Sequence, residues 1–466
     1  MSKKVLLIHP SYRTFYENLT IKAGTIYTPP LNLAAIAGAL IRAGCAVEIL
    51  DCNVERSVDK ALYSRLKRME PEIVGLTFHT PLFKEAARLT RLAKAWLEDV
   101  TVVAGGAHAT ACPEDILEHS EIDIAVMGEG DESVVEIAAD GPRSQIEGIA
   151  YKNSDGEVVI NPPRGKIRDL DTLAFPAWSL YDLRKYKTTE LLTRANPAGW
   201  IETSRGCVFQ CVYCNKRVHG ISFRVKSPER VVDEMECMLN YGFRELHISD
   251  DGFTTNMARA AEICDEIIRR GLKFPWATVT GIRADRVDLE LLRKMRRAGC
   301  YQVCYGIESG NQGILDRCRK RETLEDVRRA VRDAKRAGLE VFGYFMLALP
   351  GETEETMQDT IRFAKELDLD MAKVSITIPF PGTEQFDDLE RKGLIKTKDW
   401  SFYNAYVPAQ AIYDHPSVDW DTVDRYFRKF YRSFYWRPKF VFRRILNDVT
   451  RGTLASDVRY FVQTKW

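Results

Sequence analysis

The sequence predicts a tandem α/β protein: a doubly wound, Rossmann-like parallel sheet over residues 1–140, a partial (β/α)6 barrel over 197–386, and a mostly helical extension over 387–466. Three observations carry this expectation. Strand-like apolar runs alternate with helical stretches from the start of the chain, and alternate again after Trp200. Residues 141–196 interrupt the alternation with prolines and turns, and read as a connector. Beyond Gln385 the alternation stops and aromatic residues fall at helical spacing.

A chain of 466 residues has room for two or three domains with substantial cores. Its 67 basic and 66 acidic residues balance to a net charge of +1, which argues against a nucleic-acid partner. No apolar run approaches a membrane span, and Met1–Ile8 reads as the approach to a buried strand, not a signal peptide. Of 11 cysteines, eight are solitary and suggest no disulfide framework, as expected in a reducing cytoplasm. Cys300 and Cys304, beside an expected strand, read as core.

In the first unit, strands are expected at Val5–Ile8, Ala46–Asp51, Ile73–Thr77, Val100–Gly106 and Ile122–Val126, with helices at Leu31–Ala43, Lys60–Met69, Pro81–Trp96 and from Asp131. Ligands of such sheets lie beyond the carboxyl ends of the strands. Those ends are rich in small and hydroxyl residues: Thr77, Thr80, Gly105, Gly106, Thr110, Gly128 and Gly130. Glycines admit a bulky, flat ligand close to the backbone, and no G-x-G-x-x-G favours a dinucleotide. In the connector, Tyr151–Ile160 reads as a small hairpin with an Asp-Gly turn, followed by a proline-punctuated segment that could span the two domains.

The second unit has expected strands near 200–204, 244–249, 276–282, 301–307, 341–347 and 372–378. Directly after the first of these come Cys207, Cys211 and Cys214, spaced C-x3-C-x2-C. Soft thiolates packed this closely suit an iron–sulfur cluster or zinc. Zinc would want a fourth ligand, for which His219 is the nearest candidate at an unusual spacing. In the extension, Tyr426, Phe427, Phe430, Tyr431, Phe434 and Tyr435 are surrounded by Arg425, Arg428, Lys429, Arg432, Arg437, Lys439, Arg443 and Arg444. This reads as a helix packed on the barrel with a solvated basic face, or as a peripheral membrane contact.

The cysteine spacing, with the aromatic Tyr213 before the last thiol, closely resembles the radical S-adenosylmethionine (SAM) enzymes. The runs Gly105–Thr110 and Gly128–Asp131 resemble the cobalamin-binding domain that precedes many of them, so nearly the whole chain resembles the cobalamin-dependent radical SAM family. The resemblance implies a [4Fe-4S] cluster on the three cysteines with one iron open to SAM, cobalamin on the first sheet, and an electron donor such as flavodoxin or ferredoxin. It also implies SAM contacts from Asp250 of Ser249–Gly252, from Glu308 and Ser309 of Gly306–Gly310, and from the Leu349 region of Leu347–Thr353. Arg283 either forks to the SAM carboxylate or pairs with Asp285.

On the cobalamin side, the resemblance extends to His79, Glu129 and His108. The D-x-H-x-x-G cobalt-ligand motif is absent; His79 could approach the lower face of cobalt or be an ordinary loop histidine, and His108 shapes the glycine turn more readily than it ligates metal. The activity implied is hydrogen abstraction by a deoxyadenosyl radical, then methyl transfer from methylcobalamin to an unactivated carbon of a small-molecule or lipid-like substrate. Cyclisation or rearrangement of a lipid or tetrapyrrole-like substrate is the alternative, and a cofactor-sensing regulator a third reading. Glu202 is a candidate for any later deprotonation.

Overall fold

The computed structural model describes residues 3–13, 28–189, 192–405, 407–438, 440–442 and 444. Seven strands form the first sheet: β1 (Lys4–His9), β2 (Ala46–Asp51), β3 (Ile73–Thr77), β4 (Thr101–Gly105), β5 (Ile124–Val126), β6 (Ile149–Lys152) and β7 (Val158–Ile160). Their order is β2-β1-β3-β4-β5-β6-β7, parallel through β5. One face buries Val5, Leu7, Ile73, Val103 and Ile124, the other Leu6, Ile8, Val74, Leu76 and Val102. These near-continuous apolar runs are what a parallel strand covered on both faces requires. The chain reverses direction across the sheet between β1 and β3, so their carboxyl ends form the switch point where ligands of this topology sit.

The hairpin expected in the connector instead completes the first sheet. Its strands β6 and β7 add antiparallel to β5 and satisfy an edge that would otherwise carry unpaired backbone groups. The following segment runs along the seam between the two units. Ala177 N–H bonds to Ala34 O at 2.8 Å, and Trp178 packs with Ala34 and with the barrel residue Phe243.

The second sheet contains β8 (Ala198–Ile201), β11 (Glu245–Ile248), β12 (Trp276–Ile282), β13 (Cys300–Glu308), β14 (Glu340–Leu347) and β15 (Met371–Ile376), all parallel and adjacent in that order. A short pair, β9 (Ser204–Arg205) and β10 (Arg224–Val225), interrupts the sequence after β8. Helices Pro228–Tyr241, Met257–Arg269, Leu289–Arg297, Leu324–Arg336 and Glu354–Glu366 cover the outer face, each following the strand it packs against. The result is the open six-strand barrel expected, with both core cysteines Cys300 and Cys304 buried in it.

The extension divides its packing. Phe386, Leu389, Trp400, Tyr403 and Tyr413 join the core of the first unit, whereas the helix Trp420–Tyr435 lays Val423, Tyr426, Phe430 and Phe434 on the barrel. The aromatic stripe is therefore a packing face, as the first of the two readings required. Tyr406, Lys439 and Arg443 lie outside the described residues. Among the described residues no helix is long and apolar enough to cross a membrane.

Candidate active site

The cysteine loop is pinched shut at its base. Ser204 and Arg205 pair with Val225 and Arg224, and Gly206, at φ +85°, passes so close to the opposite limb that a Cβ would stand 2.2 Å from Ser222 O. Only glycine fits there. The loop tip is tied down elsewhere: Val212 N–H bonds to Cys318 O at 3.2 Å, Gln385 N–H to Val212 O at 3.0 Å, and Asn215 Nδ2 to Pro381 O at 3.1 Å. Leu349, fully buried, packs beneath it with Val212, Ile314, Cys318 and the partly buried Tyr213.

The three thiols lie within electrostatic reach of one another. Burial, followed by neighbouring thiols and Asp251, raises the Cys207 thiol and pushes Cys214 up to about 11. Cys214 nevertheless remains exposed. Thiols held this far above their ordinary range become good ligands once a strong local cation compensates, and soft iron does so. Among the described residues no three His, Cys, Asp or Glu groups converge as ligands of an individual ion. His219 is instead held by carboxylates, 3.4 Å from Glu129 and 3.9 Å from Glu202. The donor set fits a cluster bridged by its own sulfides.

At the facing end of the first sheet, His79 follows β3 at the switch point. It is exposed, yet burial, aided by the nearby His9, depresses its pKa to about 4. Solvent reaches this side chain, and its imidazole is neutral at ordinary pH. Gly105 has nothing within 4 Å of where a Cβ would stand, leaving open space beside β4. Thr77 Oγ1 accepts from Asn32 at 3.1 Å, and Thr80 is buried. Gly106, Gly128 and Gly130 complete these loops; a Cβ on Gly128 would stand 3.2 Å from Lys166 Nζ, and one on Gly106 3.0 Å from Phe78 O. Open space at Gly105 beside an exposed, neutral histidine fits a large planar cofactor such as cobalamin.

The two carboxyl ends approach each other. At the barrel turn Phe380–Thr383, a Cβ on Gly382 would lie 2.9 Å from Asn215 of the cysteine loop and 3.2 Å from Ala111 of the first unit. Arg205 reaches Asp131 at 2.9 Å and Glu202 at 2.8 Å, both across the seam or beside it.

Several expected cofactor contacts are used otherwise. Glu129 is buried and grips Arg224, which ties the two units together. Thr110 Oγ1 donates to Gly106 O at 2.9 Å and accepts from Gly128 N–H at 3.0 Å, bracing two loops. His108 is fully buried beneath Trp400, with Phe78 and Phe83 around it and neither ring nitrogen bonded among the described residues. Asp250 turns inward to accept from Thr203 N–H at 2.6 Å and Ser204 Oγ at 2.6 Å. Ser309 is fully buried against Thr360 Oγ1 at 3.2 Å. Arg283 spends its guanidinium on Asp285 at 2.8 Å and on the carbonyls of Lys320 and Arg321, stacked 3.6 Å over Phe209. Of the two readings of Arg283, the structure bears the ion pair.

Glu308 stays in the site region: at φ +64° its carboxylate lies over Gly306 and meets Lys320 at 3.3 Å. Sequence reasoning missed Lys320, Arg224 and Arg205. Nothing in the local pattern sets these basic residues apart; each is recognisable only through its carboxylate partner in the fold.

Comparison with known proteins follows the same division. The family model of the Radical SAM superfamily matches residues 201–364, and that of the B12 binding domain matches residues 20–138. An uncharacterized methyltransferase of Pyrococcus horikoshii is 33% identical over 449 residues, covering 95% of this chain and 94% of that one. The anaerobic magnesium-protoporphyrin IX monomethyl ester cyclase of Rubrivivax gelatinosus is 30% identical over 87% of this chain and 73% of its own. Among solved structures, the radical SAM methyltransferase TsrM from Kitasatospora setae, with cobalamin and a [4Fe-4S] cluster bound, superposes with a TM-score of 0.69 at 22% identity, covering 84% and 75% of the two chains.

Proposed function

The chain belongs to the cobalamin-dependent radical SAM enzymes, and from that premise we propose that it is a methyltransferase acting on an unactivated carbon of a small-molecule or lipid-like substrate. One observation supports the reading: the cysteine loop, the barrel turn and the first unit meet at Gly382, where a Cβ would stand 2.9 Å from Asn215 and 3.2 Å from Ala111. When bound, the cluster with SAM supplies a carbon-centred radical that abstracts hydrogen, and cobalamin supplies the methyl group.

The residues of the chain position these groups and exclude water. Cys207, Cys211 and Cys214 hold iron, while Leu349 and Tyr213 form the apolar floor of that loop. Glu308, neutralised by Lys320, offers a carboxylate oxygen toward SAM. His79, Thr77, Thr80, Gly105, Gly106, Gly128 and Gly130 form the cobalamin wall. His79 presents a neutral ring, which does not repel a cationic metal centre. A reductant such as flavodoxin or ferredoxin supplies electrons in the cytoplasm.

The cyclase relative supports a second reading, ring closure or rearrangement without methyl transfer. Anaerobic cells expressing wild type or Cys214→Ala and fed methionine with a deuterated methyl group separate the two. A labelled metabolite that requires Cys214 supports methyl transfer. An unlabelled metabolite that requires Cys214 supports cyclisation and sinks the first reading.

A further inference from the structure

Several charged side chains about the second sheet are paired. Arg194 meets Glu340 at 2.8 Å, Lys320 meets Glu308 at 3.3 Å and Glu322 at 3.7 Å, and His247 meets Glu245 at 2.6 Å. Lys373, midway along β15, differs: its ammonium makes no hydrogen bond or ion pair among the described residues. Burial lowers its pKa, and among the described residues no carboxylate opposes the effect.

The direction of this side chain follows from the strand. Ala372 and Val374 are buried in the outer core, so alternation turns Lys373 to the inner face. Lys373 is in register with Tyr344. Tyr344 identifies that face, since its hydroxyl crosses β13 to donate to Val279 O of β12 at 2.8 Å. Gly306, in register with Tyr344 on β13, and Gly281, where a Cβ would stand 3.6 Å from the tyrosine ring, leave that crossing open. Lys373 is exposed, so its ammonium is not in packed core. Its register neighbours on that face, Phe342, Tyr344 and Met346, are apolar or aromatic.

An ammonium set beside apolar and aromatic side chains, with no counter-ion among the described residues, is free to pair with a ligand anion. We infer that Lys373 binds an anionic group of the substrate, a carboxylate or a phosphate-type oxyanion, while the apolar body of the substrate lies along Phe342, Tyr344 and Met346. Met346 packs with the residues beneath the cysteine loop. An anion held at Lys373 is two residues lower on the sheet, roughly 7 Å at the rise of a strand. Remote binding of this kind orients a substrate without touching the reacting carbon. The word substrate rests on the enzymatic reading above; the anion site does not.

The test uses the full-length purified protein. Acetic anhydride modifies free amines, and peptide mass spectrometry reads the modification of Lys373 alone. Hexanoate, inorganic phosphate and neutral hexanamide are each added as competitors. Protection by hexanoate only identifies a carboxylate site, and protection by phosphate only an oxyanion site; either supports the inference. Equal protection by hexanamide, or no modification of Lys373 at all, overturns it. In Lys373→Met, calorimetric binding of the protecting anion weakens about tenfold or more and returns in Lys373→Arg, with the unfolding midpoint confirming that both variants fold. Unchanged binding in Lys373→Met overturns the assignment. If wild type binds the anion but fails to cleave SAM when supplied with cluster and reductant, the enzymatic reading fails and the anion site stands. SAM cleavage without anion protection overturns the anion site and leaves the enzymatic reading in place.

Discussion

The Glu129 carboxylate, just past β5, receives both terminal nitrogens of the Arg224 guanidinium, one of them at 3.0 Å. The same carboxylate lies 3.4 Å from His219 and accepts from Ile167 N–H at 3.3 Å. It therefore joins the first sheet, the connector and the base of the cysteine loop at one buried point.

Acid should loosen this joint. Burial alone would raise the Glu129 pKa, but His219, Arg224 and Arg205 overcome it and hold the carboxyl at about 2. Its folded pKa lies below the unfolded value, so the contribution is complete above about pH 4.5 and is lost as pH falls toward 2. The shift corresponds to roughly 3 kcal/mol. Glu129→Gln should lower stability at neutral pH by about 3–5 kcal/mol, because Arg224 is left buried without its charge partner. Its denaturant midpoint should also fall less steeply over that acid range than that of wild type.

The cysteine loop should depend on Gly206 more than on any bulk property. Gly206→Ala forces a Cβ against Ser222 O in a left-handed conformation, which opens the base of the loop. The expected result is a folded protein, by far-ultraviolet circular dichroism, that retains only a small part of the iron and acid-labile sulfide bound by wild type after reconstitution. Full iron occupancy would show that the pinch is dispensable.

Much of this architecture is legible in the sequence for a definite reason. Strands such as Ala46–Asp51 and Ile73–Thr77 are short apolar runs between amphipathic helices, and their placement needs no knowledge of distant residues. The cysteine triplet is equally local. What local pattern does not contain is the partner. Asp250 and Ser309 stand in the expected strand-end motifs but turn into the protein, toward Thr203, Ser204 and Thr360. The fate of His108 is decided by Trp400, and that of Arg283 by carbonyls following α-helix Gln312–Arg317. Lys373 reads as one polar position in an alternating strand; only the register beside Tyr344 places it on the inner face.

The open edge of the barrel is closed by two phenols. Tyr431 donates to Val374 O at 3.0 Å and accepts from Val374 N–H at 3.4 Å; Tyr435 donates to Ala372 O at 2.6 Å and accepts from Ala372 N–H at 3.2 Å. Four residues apart on the helix Trp420–Tyr435, the two hydroxyls stand in for the next strand and hold the segment that carries Lys373. Replacing both by Phe keeps the packing and removes the bonds, at about 1–3 kcal/mol per hydroxyl. Amide exchange at Ala372 and Val374 should accelerate while β11 and β12 remain protected. Unchanged exchange would mean that packing alone secures the edge.

His108 should be a liability for stability. It is fully buried among Phe78, Phe83 and Trp400 with both nitrogens unbonded among the described residues, and burial depresses its pKa to about 3. Because the folded pKa lies below the unfolded value near 6.5, stability is full above that pH and declines as pH falls toward 3. A leucine of similar size keeps contact with the aromatic cage and removes both the orphan nitrogens and the protonation penalty. His108→Leu should raise the unfolding free energy by about 1–3 kcal/mol at neutral pH, and its advantage over wild type should widen as the solution is acidified below pH 6.5. A variant that is less stable at every pH would show that the imidazole is bonded in solution, and would return His108 to the residues that face a ligand.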